Sequence, residues 1–195
     1  PPPPPPPPPR FFFQAEDGIR YHALSRGLGD VYMRQLLTVT DTRTIDNDKS
    51  GGILVDKIKE ANHNLVDRKI CKDNKDDIVL ILKEWLKNEK IDAIITTGGT
   101  GLTGRDITPE ALNEIADKHI PGFGEVFRNI SLKTVGTSAI QSRACAVLAN
   151  GKYVFALPGS SGGVTDAWDG ILKHQLDVNH KPCNFVELFP RLKEK

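Results

Sequence analysis

The residues best suited to chemistry lie within residues 92–112, which read DAIITTGGTGLTGRDITPEAL. The glycines of residues 98–101 allow a sharp turn and can direct bare backbone N–H groups towards a ligand. Asp106 ends the polar loop that follows, and residues 108–110, Thr-Pro-Glu, are typical of a helix start with Thr108 as its N-cap. A glycine turn between a strand and a helix N-terminus predicts a binding site for an anion such as phosphate.

Two nucleotide-binding motifs match this stretch only in part. Gly99, Gly101 and Gly104 have the spacing of the dinucleotide fingerprint, but the helix of that motif starts inside the glycine run, and here it is expected after the run. The P-loop pattern also comes close, yet Arg105 and Asp106 occupy the positions where it needs lysine and serine or threonine. Both motifs are therefore disfavoured. A glycine-rich loop without a ligand stays open as the plain structural alternative.

Aspartates follow the predicted strands at the points where a ligand would bind. Asp41 comes after the first strand, Asp73 after the second and Asp106 after the central one, while residues 158–163 form a second glycine-rich turn after a later strand. The carboxyl ends of parallel strands share one edge of a sheet, so we expect these groups to lie close together. Carboxylates beside bound phosphates normally imply Mg²⁺. Simpler roles stay open: a solvated turn for Asp41, an N-cap for Asp73 and a turn cap for Asp106.

These motifs occur together in one known family. The stretch TTGGTG followed by RD and TPEAL resembles the molybdopterin-binding family of molybdenum cofactor biosynthesis, the group of MoaB and molybdopterin adenylyltransferase. The resemblance continues through PGFGEVFR (121–128), TSAIQSRA (137–144) and LPGSSGG (157–163), and spans about residues 36–188. It implies a three-layer α/β fold, a doubly wound, mostly parallel sheet with helices on both faces.

The resemblance also assigns roles to individual residues. Asp73 and Asp106 match the family's two functional aspartates, so we expect them to be catalytic and to hold Mg²⁺. Thr40 and Asp41 are expected at the nucleotide. The expected ligands of molybdopterin and its phosphate are Gly98, Gly99, Thr100, Gly101, Ser138, Pro158, Gly159 and Ser160.

The activity implied by the resemblance is adenylylation of molybdopterin with Mg-ATP, which releases pyrophosphate. Retention of Asp73 and Asp106 favours this enzyme over a pterin-binding or scaffold member that has lost catalysis. Molybdate insertion would usually need additional domains, and an unrelated nucleotide-binding regulator would bind ATP without preferring a pterin. The resemblance further implies a cytoplasmic homotrimer or homohexamer, with other molybdenum cofactor biosynthesis enzymes as further partners.

Apolar periodicity predicts the elements that must position these residues. Strands are expected at residues 36–40, 65–70, 93–97 and 153–157, and helices at 52–61, 78–86, 108–119, 126–130, 139–148 and 164–176. Residues 121–124 are interpreted as a helix break, and Asn150-Gly151 as the C-cap of the 139–148 helix. Because strands and helices alternate, the pattern independently favours an open, parallel, doubly wound sheet.

Composition excludes several classes of protein. A chain of 195 residues that is 38% hydrophobic can bury a core, and a formal net charge of +1 gives no electrostatic footprint for nucleic acid or an anionic membrane. Cys71, Cys145 and Cys183 are expected to be reduced thiols of a cytosolic protein. Residues 1–33 open with a polyproline run and then show no sustained period, so we interpret them as a non-native or disordered extension of a domain at 34–195. A proline-rich docking tail is the alternative.

Overall fold

The computed structural model describes residues 32–194 of the chain. Within that part, the strands are β1 (Met33–Val39), β2 (Asn64–Cys71), β3 (Ala93–Thr97), β4 (Lys118–His119), β5 (Cys145–Ala149) and β6 (Lys152–Leu157). The α-helices are α1 (Lys49–Glu60), α2 (Lys75–Leu86), α3 (Thr108–Ile115), α4 (Pro121–Val135), α5 (Ser161–Ala167) and α6 (Lys173–Gln175). A π-helical turn (Trp168–Leu172) joins α5 to α6, and the 3₁₀ helices are Gly136–Gln141 and Val186–Arg191. The predicted extension at 1–33 falls almost entirely outside the described residues and stays a prediction.

One six-stranded sheet organises the domain, with the strand order β2-β1-β3-β6-β5-β4. β1 is parallel to β2 and β3, and β3 is parallel to β6. β5 runs antiparallel to β6, and β4 antiparallel to β5. The structure therefore confirms the predicted α/β class and the mostly parallel sheet, and it places the antiparallel pairs at one side.

Hydrophobic cores cover both faces of the sheet, because neighbouring residues of a strand point to opposite faces. Leu36 packs in one core with Phe155 and Trp168, whereas the next residue, Leu37, packs in the other core with Trp85. Both tryptophans are buried. Helices on the two faces hold the sheet rigid, so the loops at its carboxyl edge have a fixed base.

The predicted helix at 139–148 is wrong. Residues 136–141 form a 3₁₀ helix, and β5 follows, paired antiparallel with β6. Asn150 and Gly151 both have positive φ, 47° and 68°, and form the tight turn of this hairpin. Asn-Gly between two apolar runs is the strongest short-range hairpin signal, and its interpretation as a helix C-cap missed the pairing.

Two further helix boundaries differ from the prediction. α3 ends at Ile115, and Lys118–His119 forms the short strand β4 instead of a last helical turn. Residues 121–124 do not break a helix: Pro121 starts α4, which continues to Val135. Proline is favoured in the first turn of a helix because the N–H groups there have no helical partner. No helix of the described part combines the length and the apolarity needed to cross a bilayer.

Candidate functional site

A cleft of about 510 Å³ lies at the carboxyl edge of the parallel strands. It collects loops that are far apart in sequence: the end of β1, the glycine turn after β3, the turn after β6, and the segment that joins α4 to β5. Of the predicted site residues, the cleft is lined by Thr40, Gly98, Gly99, Thr100, Gly101, Asp106, Ser138, Pro158, Gly159 and Ser160. Asp41 and Asp73 are not among its lining residues and stand directly beside it, as the contacts below show.

The glycine turn after β3 needs glycine for measurable reasons. Gly98 has φ of 102°, and a Cβ at this position would lie 2.1 Å from the carbonyl oxygen of Val39. Gly99 has φ of 63°, and its Cβ would lie 2.4 Å from Thr108 Oγ1. Residues that carry a side chain rarely adopt such φ values. Only glycine therefore allows the backbone of the turn to lie this close to β1 and α3. This close approach leaves backbone, not side chains, as the surface offered to a ligand.

Thr108 stabilises the turn in a different way from the one predicted. The N-cap of α3 is Ile107, which makes no side-chain capping bond, so the assignment of Thr108 as N-cap is wrong. Thr108 Oγ1 instead donates to the carbonyl oxygen of Gly98 at 2.9 Å, and Thr108 N–H donates to that of Gly99 at 3.0 Å. The first residue of α3 is thereby bonded to the glycine turn at two points.

Arg143 supports the same loop from the other side. Its Nε donates to the carbonyl oxygen of Gly101 at 2.6 Å, and its Nη2 donates to that of Asp106 at 2.6 Å. Its guanidinium also forms an ion pair with Glu110 of α3. The sequence left two interpretations open for this segment of the TSAIQSRA motif, a phosphate contact or pairing of Arg143 with a surface carboxylate, and the structure shows the pairing, with Glu110. One planar side chain therefore bridges both ends of the 101–106 loop.

Asp41, Asp73 and Asp106 come together as predicted from their strand ends. Asp41 Oδ1 accepts a hydrogen bond from the Asp73 N–H at 3.3 Å. Burial raises the pKa of Asp73, and the negative charges of Asp41 and Asp106 raise it further. Asp73 Oδ1 also lies 3.0 Å from the position that a Cβ on Gly99 would take. The carboxylate of Asp73 is thus held against the glycine turn in a field of like charge.

The structure separates the open alternatives for these aspartates. The N-cap of α2 is Asn74, whose side chain accepts from the N–H groups of Asp76 and Asp77, so Asp73 is not the cap. Asp106 does cap its own turn, because its Oδ2 accepts from Thr103 N at 2.8 Å and from Thr103 Oγ1 at 2.6 Å. Partial burial alone would raise the pKa of Asp106, but these hydrogen bonds outweigh it and lower the pKa.

The carboxylates of Asp41, Asp73 and Asp106 form an acidic group that could bind a cation. Arg105, which is 74% exposed at its side chain, forms an ion pair with Asp41 and offsets part of the local charge. Within residues 32–194, no set of three histidine, cysteine or carboxylate side chains converges on one metal position. Mg²⁺ commonly takes only one or two carboxylates and completes its shell with water and substrate phosphates. Asp73 and Asp106 could supply these carboxylates, since Asp73 Oδ1 lies 3.0 Å from the Cβ position of Gly99 and Asp106 Oδ2 lies 2.7 Å from that of Gly101.

The second glycine-rich turn follows β6 and faces the first. Thr97 Oγ1 donates to the carbonyl oxygen of Pro158 at 2.8 Å, and Ser160 Oγ accepts from Gly163 N–H at 3.1 Å as the N-cap of α5. Arg43 Nη1 donates to the carbonyl oxygen of Gly159 at 3.0 Å. Arg43 also lines the cleft, so it is a cationic group at the site that sequence analysis left without a role.

A buried polar network lies behind Arg43. Asp48 is 3% exposed, and its carboxylate accepts from Thr38 Oγ1 at 2.6 Å and Arg68 Nη2 at 3.0 Å, as well as from Ser50 Oγ and Gly51 N–H. Arg43 Nη1 donates to Ser50 Oγ at 2.9 Å. Burial would raise the pKa of Asp48, but the hydrogen bonds prevail and lower it. The network fixes the start of α1 and orients Arg43 towards the cleft.

The far end of the cleft is formed by α4, the following 3₁₀ helix and α5. Ser138 lies in the 3₁₀ helix, not at the start of an α-helix, and lines the cleft as predicted. Phe127, Ser131 and Val135 of α4 and Asp166 of α5 line this end as well. The sequence carried no local signal for these residues, because they approach the cleft only when α4 packs beside α5.

Comparison with known proteins decides the family. The sequence model described as a probable molybdopterin binding domain matches residues 35–178. The chain belongs to the molybdopterin-binding family of molybdenum cofactor biosynthesis. Molybdenum cofactor biosynthesis protein B of Escherichia coli (strain K12) is 43% identical over 159 residues, covering 82% of this chain and 92% of that protein. The protein of the same name from Bacillus subtilis (strain 168) is 38% identical over 148 residues, covering 75% and 87%.

Solved structures agree with this membership. A crystal structure of molybdenum cofactor biosynthesis protein B has a TM-score of 0.74 and 41% identity, covering 76% of this chain and 93% of its own. The tungsten cofactor synthesizing protein MoaB from Pyrococcus furiosus has a TM-score of 0.67 and 33% identity, covering 75% and 94%. The resemblance found in the motifs is confirmed. Within the molybdopterin-binding family, this chain spans nearly the full length of the relatives it matches.

Proposed function

We propose that this family member binds molybdopterin and adenylylates it with Mg-ATP, releasing pyrophosphate. The observation that supports the proposal is the position of Asp73 and Asp106 beside the glycine turn: Asp73 Oδ1 lies 3.0 Å from the Cβ position of Gly99, and Asp106 Oδ2 lies 2.7 Å from that of Gly101. Negative side chains beside an anion-binding backbone are unfavourable unless a cation joins them. A nucleotide-dependent reaction at phosphate supplies that cation as part of its substrate.

The proposed ligand positions follow the family roles of the lining residues. Residues 98–101 would contact molybdopterin and its phosphate, with residues 158–160 and Ser138 around them. Thr40 and Asp41, at the end of β1, would contact the nucleotide. Arg43, held by Gly159 and Ser50, would add positive charge for the phosphates between them.

The reaction needs no nucleophile from the protein. An oxygen of the molybdopterin phosphate forms a bond to the α-phosphorus of ATP while the bond from that phosphorus to the bridging oxygen breaks, and pyrophosphate leaves with the electron pair. The protein aligns the two anions and stabilises the charge that develops. Asp73 and Asp106 would hold Mg²⁺, and its charge would offset the negative charge of the phosphates. The backbone N–H groups of the glycine turn would supply fixed dipoles.

The alternative is a non-catalytic pterin-binding or scaffold member of the same family. It would use the glycine turn and the far end of the cleft without the acidic pair. The proximity of Asp41, Asp73 and Asp106 favours the enzyme, because a site that only binds an anion gains nothing from three nearby carboxylates.

The cellular setting is proposed on the same family basis. We expect a cytoplasmic homotrimer or homohexamer whose partners are molybdopterin, ATP and other enzymes of molybdenum cofactor biosynthesis. We expect no nucleic-acid or membrane partner, since the formal net charge is only +1.

The central test is Asp106→Asn. Asparagine keeps an oxygen that can accept from Thr103 N–H and Oγ1, so the loop should keep its shape while the charge is lost. We expect single-turnover transfer of AMP to fall by about 10²–10³ because metal-linked charge stabilisation is lost. Molybdopterin affinity should change little, because none of its proposed contacts is to the side chain of Asp106.

The matched control is Asp67→Asn, which removes a half-exposed carboxylate of β2 that pairs with Lys69. This variant should transfer AMP at the parent rate. Transfer at near the parent rate by Asp106→Asn would reduce Asp106 to its capping role. Absence of adenylylated product in the parent protein, with intact molybdopterin binding, would support the non-catalytic alternative.

A further inference from the structure

One carboxylate of the cleft has no part in the proposed phosphate chemistry. Asp166 lies on α5 and lines the far end of the cleft. Its hydrogen bonds all reach one oxygen: Thr134 Oγ1 donates to Oδ2 at 2.8 Å, and Ser131 Oγ approaches the same atom at 3.5 Å. In the described part of the chain, Oδ1 accepts no hydrogen bond. Residues of α4 therefore orient the carboxylate through Oδ2, and Oδ1 can accept hydrogen bonds from a ligand.

The cleft that Asp166 lines also presents apolar side chains. Phe127 and Ala139 are 1% and 5% exposed, and both contribute to the lining of the cleft together with Val135. Ser131, which helps to orient the carboxylate, is 5% exposed. Apolar walls with a few oriented polar groups are typical of small-molecule sites, and a cleft of about 510 Å³ lies within their usual size range.

We propose that the Asp166 carboxylate binds the 2-amino-4-oxopyrimidine edge of the pterin and so orients molybdopterin in the cleft. The proposal rests on the proposed function, because it assumes a pterin ligand. That edge presents a ring N–H and an exocyclic N–H side by side, which match the two oxygens of a carboxylate as a bidentate pair. Thr134 holds Oδ2 in place and so reduces the freedom that the carboxylate loses on binding.

The same geometry distinguishes the two substrates. Adenine presents an amino group beside an unprotonated ring nitrogen, so one carboxylate oxygen would face a lone pair. Asp166 therefore directs the pterin, and not the adenine of ATP, to the far end of the cleft. Guanine carries the same pair of donors as a pterin, so it belongs in the test.

The experiment measures equilibrium binding of three probes by calorimetry. They are 6-hydroxymethylpterin phosphate, the matching lumazine phosphate, in which oxygen replaces the 2-amino group, and guanosine monophosphate. The parent protein should prefer the pterin over the lumazine by at least about tenfold, because the lumazine turns an acceptor towards the carboxylate. Asp166→Asn should weaken pterin binding by at least about tenfold and reduce that preference, since an amide can pair with either edge. ATP affinity should stay unchanged.

Two further variants show whether the effect is specific to the Asp166 carboxylate and its orientation. Asp169→Asn, one turn away and paired with Lys57, should leave every affinity unchanged. Thr134→Val keeps the carboxylate and the shape of α4 but removes the orienting hydroxyl, and should reduce the pterin preference by a smaller factor. Thermal midpoints of all variants show whether any loss of binding comes from unfolding.

The outcomes separate the two proposals. Tight pterin binding that Asp166→Asn leaves intact overturns the role of Asp166 and retains the proposed function. A parent protein that binds ATP but no pterin phosphate contradicts the proposed function itself. Stronger Asp166-dependent binding of guanosine monophosphate than of the pterin would assign this end of the cleft to a guanine nucleotide and overturn the pterin assignment.

Discussion

At the scale of single residues, the site depends on glycine positions where an added Cβ atom would change the geometry. Gly99 combines a positive φ of 63° with a Cβ position 2.4 Å from Thr108 Oγ1 and 3.0 Å from Asp73 Oδ1. Gly104, in the same loop, has open space around its Cβ position. The two glycines of one loop therefore differ in what a methyl group would meet.

We expect Gly99→Ala to lower the free energy of unfolding by about 1–2 kcal/mol, because an L-residue in the left-handed region costs about that much. The added methyl group also displaces Asp73 or Thr108, so molybdopterin affinity should fall as well. Gly104→Ala is the control and should change neither quantity. Chemical denaturation and calorimetry measure both effects, and equal behaviour of the two variants would contradict the proposed role of the turn.

Asp48 gives a second residue-scale prediction. Its folded-state pKa lies below the ordinary value of 3.8, so the ionised form is stabilised by folding. This contribution is present above about pH 4 and is lost as the pH falls through the folded-state value. Asp48→Asn should cost about 3 kcal/mol at pH 7, because Arg68 and Arg43 lose a buried partner.

The pH dependence provides the check. Urea unfolding at pH 7 and at pH 3 should show that the difference in unfolding free energy between the Asp48→Asn variant and the parent narrows at the lower pH. Asp46→Asn, at an exposed position of the preceding loop, should show no difference at either pH. If the difference in unfolding free energy were the same at both pH values, the shape of the Asp48 side chain and not its charge would explain the effect.

At the scale of elements, the 101–106 loop depends on contacts from α3 and from the segment before β5. Arg143 donates to the carbonyl oxygens of Gly101 and Asp106, and its backbone N–H donates to that of Thr100 at 2.8 Å. Burial is not what holds this loop, since residues 102–105 are exposed. Its shape therefore relies on directional hydrogen bonds, those that Arg143 donates and those that Asp106 accepts from Thr103.

We expect Arg143→Met to loosen the loop, with faster amide hydrogen exchange at residues 102–106 and roughly tenfold weaker molybdopterin binding, since two charge-assisted bonds are lost. Arg143→Lys should recover the charge but not the bidentate geometry, and so only part of the affinity. Arg128→Met removes a weaker 3.4 Å bond to the Ser142 carbonyl oxygen and serves as the control. Unchanged exchange in Arg143→Met would show that the loop is held by other contacts.

At the scale of the whole molecule, the sheet order brings four parallel strand ends to one edge, while the cores on its two faces keep that edge rigid. Some large apolar side chains remain outside these cores. Leu132, Val135 and Ile140 are 51%, 55% and 81% exposed and lie close together in sequence around the end of α4. Exposed apolar groups of this kind are suited to contact between subunits.

We expect the protein to sediment as a trimer or hexamer at micromolar concentration. The family resemblance motivates the expectation, and the exposed side chains around α4 are compatible with it. Sedimentation velocity over a concentration series measures the state, with a monomeric globular standard of similar mass as the control. A monomer at all concentrations would contradict the prediction.

The sequence by itself determined the elements whose signals are local. Apolar runs located β1, β2, β3 and β6, and the alternation of strands with helices determined the fold class. Because the carboxyl ends of parallel strands meet at one edge of a sheet, the sequence also predicted that Asp41, Asp73, Asp106 and both glycine-rich turns lie there together. These inferences succeeded because each depends on periodicity or on residue type over a few positions.

Only the tertiary structure decided which side chains support and complete the cleft. The contacts of these side chains join residues that are far apart in sequence. Arg43 bonds to Gly159, 116 positions away, and Arg143 bonds to Gly101, 42 positions away. Asp166 accepts a hydrogen bond from Thr134, 32 positions away. Such contacts have no local pattern, because they arise from how helices pack on the sheet. The same reason explains the wrong helix at 139–148: small apolar residues suit either element, and pairing with β6 selected the strand.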